Sequence, residues 1–385
     1  MPDRYTAQEM LARLVAFPSV SRDSNLPLID FVEDYLAGHG VTAIRTPDAT
    51  GTKASLHALI GPEVAGGVIL SGHTDVVPVD GQDWTTDPWT LTERDGRLYG
   101  RGTCDMKGFI ALALAAVPDM LAADLKRPIL LALSYDEEIG CLGAPPMIAR
   151  IAAELPPAAA CIVGEPSLMK IVSGHKGSVG FEVHVRGFEV HSSLVHTGVS
   201  AVMTAARLIT WMHDTMAENR RNAPEGTGFE PAWTTLHSGV IHGGTAHNIT
   251  AKDCRFTADI RVAPHESVDD WDTRFRAEAA RLEAEIQAIR PEAGIDVHLR
   301  GRVPGLQPEP DGPAEALVRR LTGDNASGRV SYGTEGGQFQ EGGFSAVICG
   351  PGSIEQAHQP DEYLATSQLA EGERFMQRLI AELSA

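Results

Sequence analysis

Val68-Ile69-Leu70-Ser71-Gly72-His73-Thr74-Asp75 is an apolar run that ends in a histidine and a carboxylate, and the pattern comes twice more. Ile129-Leu130-Leu131-Ala132-Leu133 leads into Ser134-Tyr135-Asp136-Glu137-Glu138, and Ala160-Cys161-Ile162-Val163 leads into Gly164-Glu165-Pro166. Short apolar runs without polar alternation suit strands buried on both faces, as in a parallel sheet covered by helices. In such sheets a ligand sits outside the carboxyl ends of the strands. Three strands would therefore deliver a histidine and several carboxylates to one rim, which describes a metal site.

Around these runs the chain reads as α/β. Thr6-Ala7-Gln8-Glu9 is a capping box that opens a helix carrying Met10, Leu11, Leu14 and Val15. A second helix is expected from about Leu26 to Leu36, and a third around Ile110 to Leu121, kinked by Pro118. At Gly174 the patterning changes. Phe181–Arg186, Cys254–Arg261 and Ile295–Leu299 alternate with period two, the mark of antiparallel strands with one wet face. Two long helical patterns, about Val199 to Asn219 and Val268 to Ile289, could cover the dry face. After Arg302-Val303-Pro304-Gly305 the buried type returns in Ala346-Val347-Ile348-Cys349, and a closing helix follows Thr366. The fold expected is an α/β catalytic domain on a mostly parallel sheet, built from 1–174 and 303–385. An α+β domain, 175–302, of antiparallel sheet plus two helices is inserted in it.

The bulk properties narrow the function. A net charge of −19 over 385 residues makes a nucleic-acid backbone or an anionic membrane surface an unfavourable partner. The longest oily stretch, Phe109 to Val117, is far too short to span a bilayer. Met1-Pro2-Asp3-Arg4-Tyr5 has no apolar core of a secretory signal. Five cysteines, odd in number and without C-x-x-C pairs, argue against a disulfide framework and a cysteine zinc site. A reducing cytosol is the expected compartment.

The candidate ligands lie where strands end. Asp75, two residues after His73, is placed to hydrogen-bond the far nitrogen of the imidazole. Asp105 follows the glycine-rich turn Gly100-Arg101-Gly102-Thr103-Cys104 and opens a helix. Glu137 and Glu138 are adjacent and point apart, so one can bind metal while the other handles a proton. Glu165 ends the third run, and His358 follows Gly350-Pro351-Gly352-Ser353. Any one of these could be a surface group. Acids and histidines at strand end after strand end are costly, however, unless a cation neutralises them.

His73-Thr74-Asp75, Gly100–Gly108, Asp136-Glu137-Glu138, Gly164-Glu165-Pro166 and the late His358 resemble, in order, the signature blocks of the M20 di-zinc amidohydrolases and peptidases. Cys104 stands where alanine is common, and Ala251 stands where a proline often follows the block of Asn248. The resemblance implies that His73 and Glu165 hold one zinc, that Glu138 and His358 hold the other, and that Asp105 bridges. It makes Glu137 the general base for a water between the ions, with Asp75 supporting His73. It matches His191 to a histidine supplied by the partner subunit of a homodimer built through 175–302, and Asn248 and Arg261 to substrate-gripping positions. Read alone, Arg261 is equally an exposed charge or a bidentate grip on a carboxylate. Cobalt or manganese would suit the same donors.

The stretches Tyr332–Gln340 and Cys349–Tyr363 are most similar to those of family members that hydrolyse N2-acetyl-L-ornithine, a step of arginine biosynthesis. A succinyl-diaminopimelate or broader N-acyl-amino-acid hydrolase is the alternative. For an ornithine side chain the ammonium needs an anionic partner. Glu335 is the candidate, the other reading being a solvated loop carboxylate.

Overall fold

The computed structural model describes residues 3–309 and 311–385. The chain divides into two compact units. The first runs to Gly174 and resumes as Leu306–Arg329 and Thr334–Ala385, while the second takes His175–Gly305 and Val330–Gly333. The return, expected at 303, comes later because a strand, Gly294–Val303, continues into the glycine-proline link.

In the first unit four parallel strands lie side by side in the order Ile129–Ser134, Gly67–His73, Ala158–Pro166 and Ala346–Gly350. Nearly all their residues are buried, as runs without polar alternation require. Two antiparallel strands, Ala43–Pro47 and Ala54–Ile60, widen the sheet beyond Ile129–Ser134. These were not legible as strands of the sheet, because Ser55 and His57 interrupt the apolar run. At the other edge the sheet adds Val172–His175 and Gly328–Val330. Register then sets the rim. Ser71 lies opposite Val163, and His73 opposite Ser134, so His73 and Glu165 reach the same level at the strand ends.

Helices Ala7–Val15, Lys107–Ala115 and Thr366–Ser384 share one apolar core with the sheet, through Met10, Leu11, Leu112, Phe375 and Leu379 among others. The capping box forms: Thr6 Oγ1 accepts from the Glu9 amide at 3.2 Å, and the Glu9 carboxylate accepts from the Thr6 amide at 2.8 Å. The expected kink is a break at Ala116, after which Val117–Ala122 starts afresh with Pro118 in its first turn. Gly164 faces the Phe109 ring so closely that a Cβ would lie 2.0 Å from it, so only glycine lets this helix rest beside Glu165. A small antiparallel sheet of Thr92–Arg94, Arg97–Tyr99 and Tyr363–Ala365 pairs Tyr99 with Tyr363. It thereby brings the turn that starts at Gly100 next to the segment that follows His358.

The second unit is antiparallel. Gly177–Arg186 lies between Asp253–Val262 and Gly294–Val303, with Thr235–His237 and Ile241–Gly243 on the outer side of Asp253–Val262. Val179, Phe181, Val183 and Val185 alternate inward and are buried against helices Ala201–Arg221 and Val268–Gln287. The Phe181 ring stacks on Phe275 with centroids 4.5 Å apart. Among the described residues no helix is long and apolar enough to cross a membrane.

His57 is a polar intruder in the core. It is fully buried, and among the described residues neither ring nitrogen has a hydrogen-bond partner. Burial, with the Arg150 charge, lowers its pKa below the ordinary value. The folded chain therefore keeps His57 neutral as pH falls through about 6.5, where the unfolded chain takes up a proton, so folding stability is lost on acidification. His57→Leu is expected to raise the unfolding free energy by about 1–2 kcal/mol at pH 8 and by more at pH 5.5. Urea unfolding at both pH values measures this; a variant less stable than the parent at both would show that His57 contributes through packing or a buried water.

Candidate metal centre

His73 sits at the last position of its strand and is 1% exposed. Its Nδ1 donates to the backbone carbonyl oxygen of Asp75 at 2.8 Å, which fixes the tautomer and turns Nε2 inward. The carboxylate of Asp75, expected to take this proton, is farther away at 3.6 Å. It serves the neighbouring turn instead, accepting from the Ser21 hydroxyl at 2.7 Å and from the amides of Glu137 at 3.2 Å and Glu138 at 3.4 Å. One residue, Thr74, separates Asp75 from the strand end, and that spacing favours the main-chain contact.

Asp105 lies between the two histidines. One carboxylate oxygen is 3.0 Å from His73 Nε2 and the other is 3.3 Å from His358 Nε2. Glu165 flanks His73 at 3.7 Å, and Glu138 flanks His358 at 3.0 Å. Two groups of ligand atoms, one from His73, Glu137 and Glu165 and the other from His73, Asp105 and Glu138, each fall within 4.8 Å of one another. The sequence-expected ligands therefore converge, with Glu137 close enough to the same point to exchange a proton there.

The charge state tests whether a cation fits. Burial, reinforced by neighbouring carboxylates, pushes the pKa values of Glu137, Glu138 and Glu165 up. Burial alone would lower the His73 pKa, but Asp105, Asp75 and Glu165 hold it well above the ordinary value. Hydrogen bonds to Asp105 and Glu138 raise His358 to about 10. The cluster thus gathers protons to offset its own negative charge, which is the work a divalent cation does better. The donors are imidazole and carboxylate only. Buried Cys104 and Cys141 have raised pKa values and supply no thiolate. Such a set suits zinc, cobalt or manganese.

A second layer of contacts, mostly invisible in the sequence, steadies Glu137. Asp136, just before it, holds a left-handed φ of 56°, a conformation that costs on the order of 1 kcal/mol or more for a non-glycine residue. The Lys53 ammonium bridges the Asp136 carboxylate and the Ser21 carbonyl oxygen, and is itself nearly buried. The Cys141 thiol donates to Glu137 Oε1 at 3.3 Å. Ser21 carried no signal, since a serine in a loop is ordinary; Asp136 stood in a quoted block without a role.

Glu335 is not a solvated loop carboxylate. It is 1% exposed rather than solvated, and its two oxygens accept from the hydroxyls of Ser134 and Ser71, the latter at 3.1 Å. Those hydroxyls belong to the strands Gly67–His73 and Ile129–Ser134.

The remaining expected residues are in the second unit. His191 is exposed, its Nδ1 paired with Ser193 Oγ at 2.8 Å at the head of the turn Ser192–Thr197. A backbone bridge from His191 to Ile249, and the Ser192 amide on the Asn248 carbonyl at 2.8 Å, bring His191 and Asn248 together. Arg261 stands apart from them on Asp253–Val262, its Nε on Asp259 at 3.0 Å.

Comparison with known proteins identifies relatives along nearly the whole chain. An acetylornithine deacetylase of Myxococcus xanthus is 38% identical over 384 residues, covering 96% of each chain. One from Proteus mirabilis is 33% identical over 381 residues, covering 97% of this chain and 95% of its own. An M20 family metallo-carboxypeptidase from Sulfolobus solfataricus has the same fold, with a TM-score of 0.80 at 17% identity over 99% of both chains. The sequence profile of peptidase family M20/M25/M40 matches residues 69–382, from the strand of His73 into the last helix. The chain belongs to that family.

Proposed function

We propose that this metal-dependent amidohydrolase hydrolyses N2-acetyl-L-ornithine to L-ornithine and acetate, as a step of arginine biosynthesis in a reducing cytosol. The observation that carries the chemistry is Asp105, whose two oxygens face His73 and His358 separately, as a residue shared by two cations would. The substrate rests on the two relatives named acetylornithine deacetylase, matched over nearly their whole length. The five free, buried cysteines support the compartment.

His73 and Glu165 would hold one cation and Glu138 and His358 the other, zinc being the first choice. Bound there, the cations supply Lewis acidity towards water and towards the amide carbonyl. Glu137 takes the proton of the attacking water and returns it to the departing amine. Its aim is kept by the Cys141 thiol and by the turn that Asp75, Ser21 and Lys53 hold. Arg261 grips the α-carboxylate of the substrate, and Asn248 lies beside His191. His191 donates to the developing oxyanion, reaching the site of a second copy of this chain in a homodimer formed through the second unit. The backbone pairing that joins the His191 and Asn248 segments supports their acting as one surface.

Three measurements test this reading. Glu137→Gln should retain the metal content of the parent and lose at least ~100-fold in kcat; near-normal turnover with full metal removes Glu137 from the mechanism. On metal-reconstituted protein, kcat/KM should be higher for N2-acetyl-L-ornithine than for N-succinyl-diaminopimelate or N-acetylmethionine, and a reversed order selects the alternative hydrolase. His191→Ala should lower kcat with metal intact, and mixing it with Glu137→Gln chains should restore part of the activity through hybrid sites. Mixed dimers without recovery would exclude action across the interface.

A further inference from the structure

The turn from Gly100 to Asp105 closes around a carboxylate that belongs to neither metal cluster. Glu362 is 1% exposed. One of its oxygens accepts from the amides of Cys104 at 2.9 Å and Asp105 at 3.0 Å. The other accepts from the amide of Gly102 at 3.0 Å and from the Arg101 guanidinium at 2.7 Å. Backbone amides converging on one point form the kind of nest that elsewhere binds a phosphate or another anion. Here the chain fills the nest with its own side chain. Gly102 makes this possible at φ 80°, since a Cβ there would come within 2.7 Å of Val76.

The two ends of this contact are what give it consequence. One donor is the amide of Asp105, the residue that faces both His73 and His358. Glu362 itself closes the short segment that begins with His358, and that segment is tied to the same place. Arg101 also donates to the Gln359 carbonyl at 3.3 Å and to the Gln82 side chain, whose amide holds the His358 carbonyl at 2.9 Å. Asp361 accepts from the Thr85 amide at 2.8 Å. Burial and the nearby Asp105 carboxylate both disfavour a charge on Glu362. A glutamine would be less costly to bury, but its NH2 would confront the donors of the nest.

We propose that Glu362 is a positioning residue that locks the backbone of Asp105 to the segment of His358, so that Asp105 can give one oxygen to each cation. The proposal rests on the two-cation reading of the site. Groups behind metal ligands typically change metal affinity by roughly ten- to hundred-fold when removed, and here the loss should fall on the ion that needs both Asp105 and His358.

Zinc titration of the metal-free full-length chain, by calorimetry with a competing chelator, tests this. The parent should take two equivalents. Glu362→Gln should keep the tighter equivalent and weaken the other by at least ~10-fold. Glu362→Ala should show the same loss and recover the second equivalent in formate, small enough to enter the emptied nest, but not in chloride of equal ionic strength. Two equivalents bound by both variants as tightly as by the parent would overturn the proposal. Equal weakening of both equivalents without formate recovery would also overturn it, by giving Glu362 a role in the fold alone. If Glu362→Ala does not fold, Glu362→Gln decides. A parent that takes fewer than two equivalents refutes the two-cation reading itself, a failure separate from any difference between parent and variants.

Discussion

Negative charge confined at the end of a parallel sheet is the constraint around which the first unit is organised. Asp105, Glu137, Glu138 and Glu165 meet within reach of His73 and His358, and Glu335 and Asp75 lie just behind them. Gathering so many carboxylates away from water is unfavourable by several kcal/mol per unpaired ion. Protons, amide donors or cations must offset it. Surface pairs elsewhere in the chain, such as Arg150 with Glu154, are screened by water and decide little. The rim is therefore where interaction energy is concentrated, and the surrounding turns are shaped to hold it.

What was legible in the sequence was what local pattern encodes. An apolar run ending in an acid announces a strand end, and register does the rest by bringing His73 level with Glu165. The alternation of Phe181–Arg186 likewise announced a one-sided sheet, and Phe181 indeed lies against Phe275. Residues that act through tertiary contact were not legible. Lys53 and Ser21 look like any loop lysine and serine, and their meaning comes only from the Asp136 and Asp75 carboxylates that they meet. The burial of Glu335 was not legible for a related reason. Its hydroxyl partners, Ser71 and Ser134, are distant in sequence. At Asp75 the residue was visible and its working atom was not, since main-chain and side-chain oxygens of one residue compete for the same imidazole.

Gly164 and Gly102 show how little space the rim leaves. Each permits an approach that a methyl group would block, one to the Phe109 ring and the other to Val76. Both stand within three residues of a candidate ligand, Glu165 or Asp105. Precision at the strand ends is thus achieved by removing side chains as well as by adding contacts.

The insertion starts and finishes on neighbouring antiparallel strands, with Ser178 paired to Val303. Topologically it is a loop whose ends already touch. Ala346 must find Cys161 across all of it to complete the parallel sheet. While the insertion is unfolded, that closure carries the entropy of a very long flexible loop. Once its own strands have paired, the same closure involves only the flanking residues, 162–177 and 304–345. The order in which the two units acquire structure therefore bears on how readily the slower, non-local parallel pairing can form.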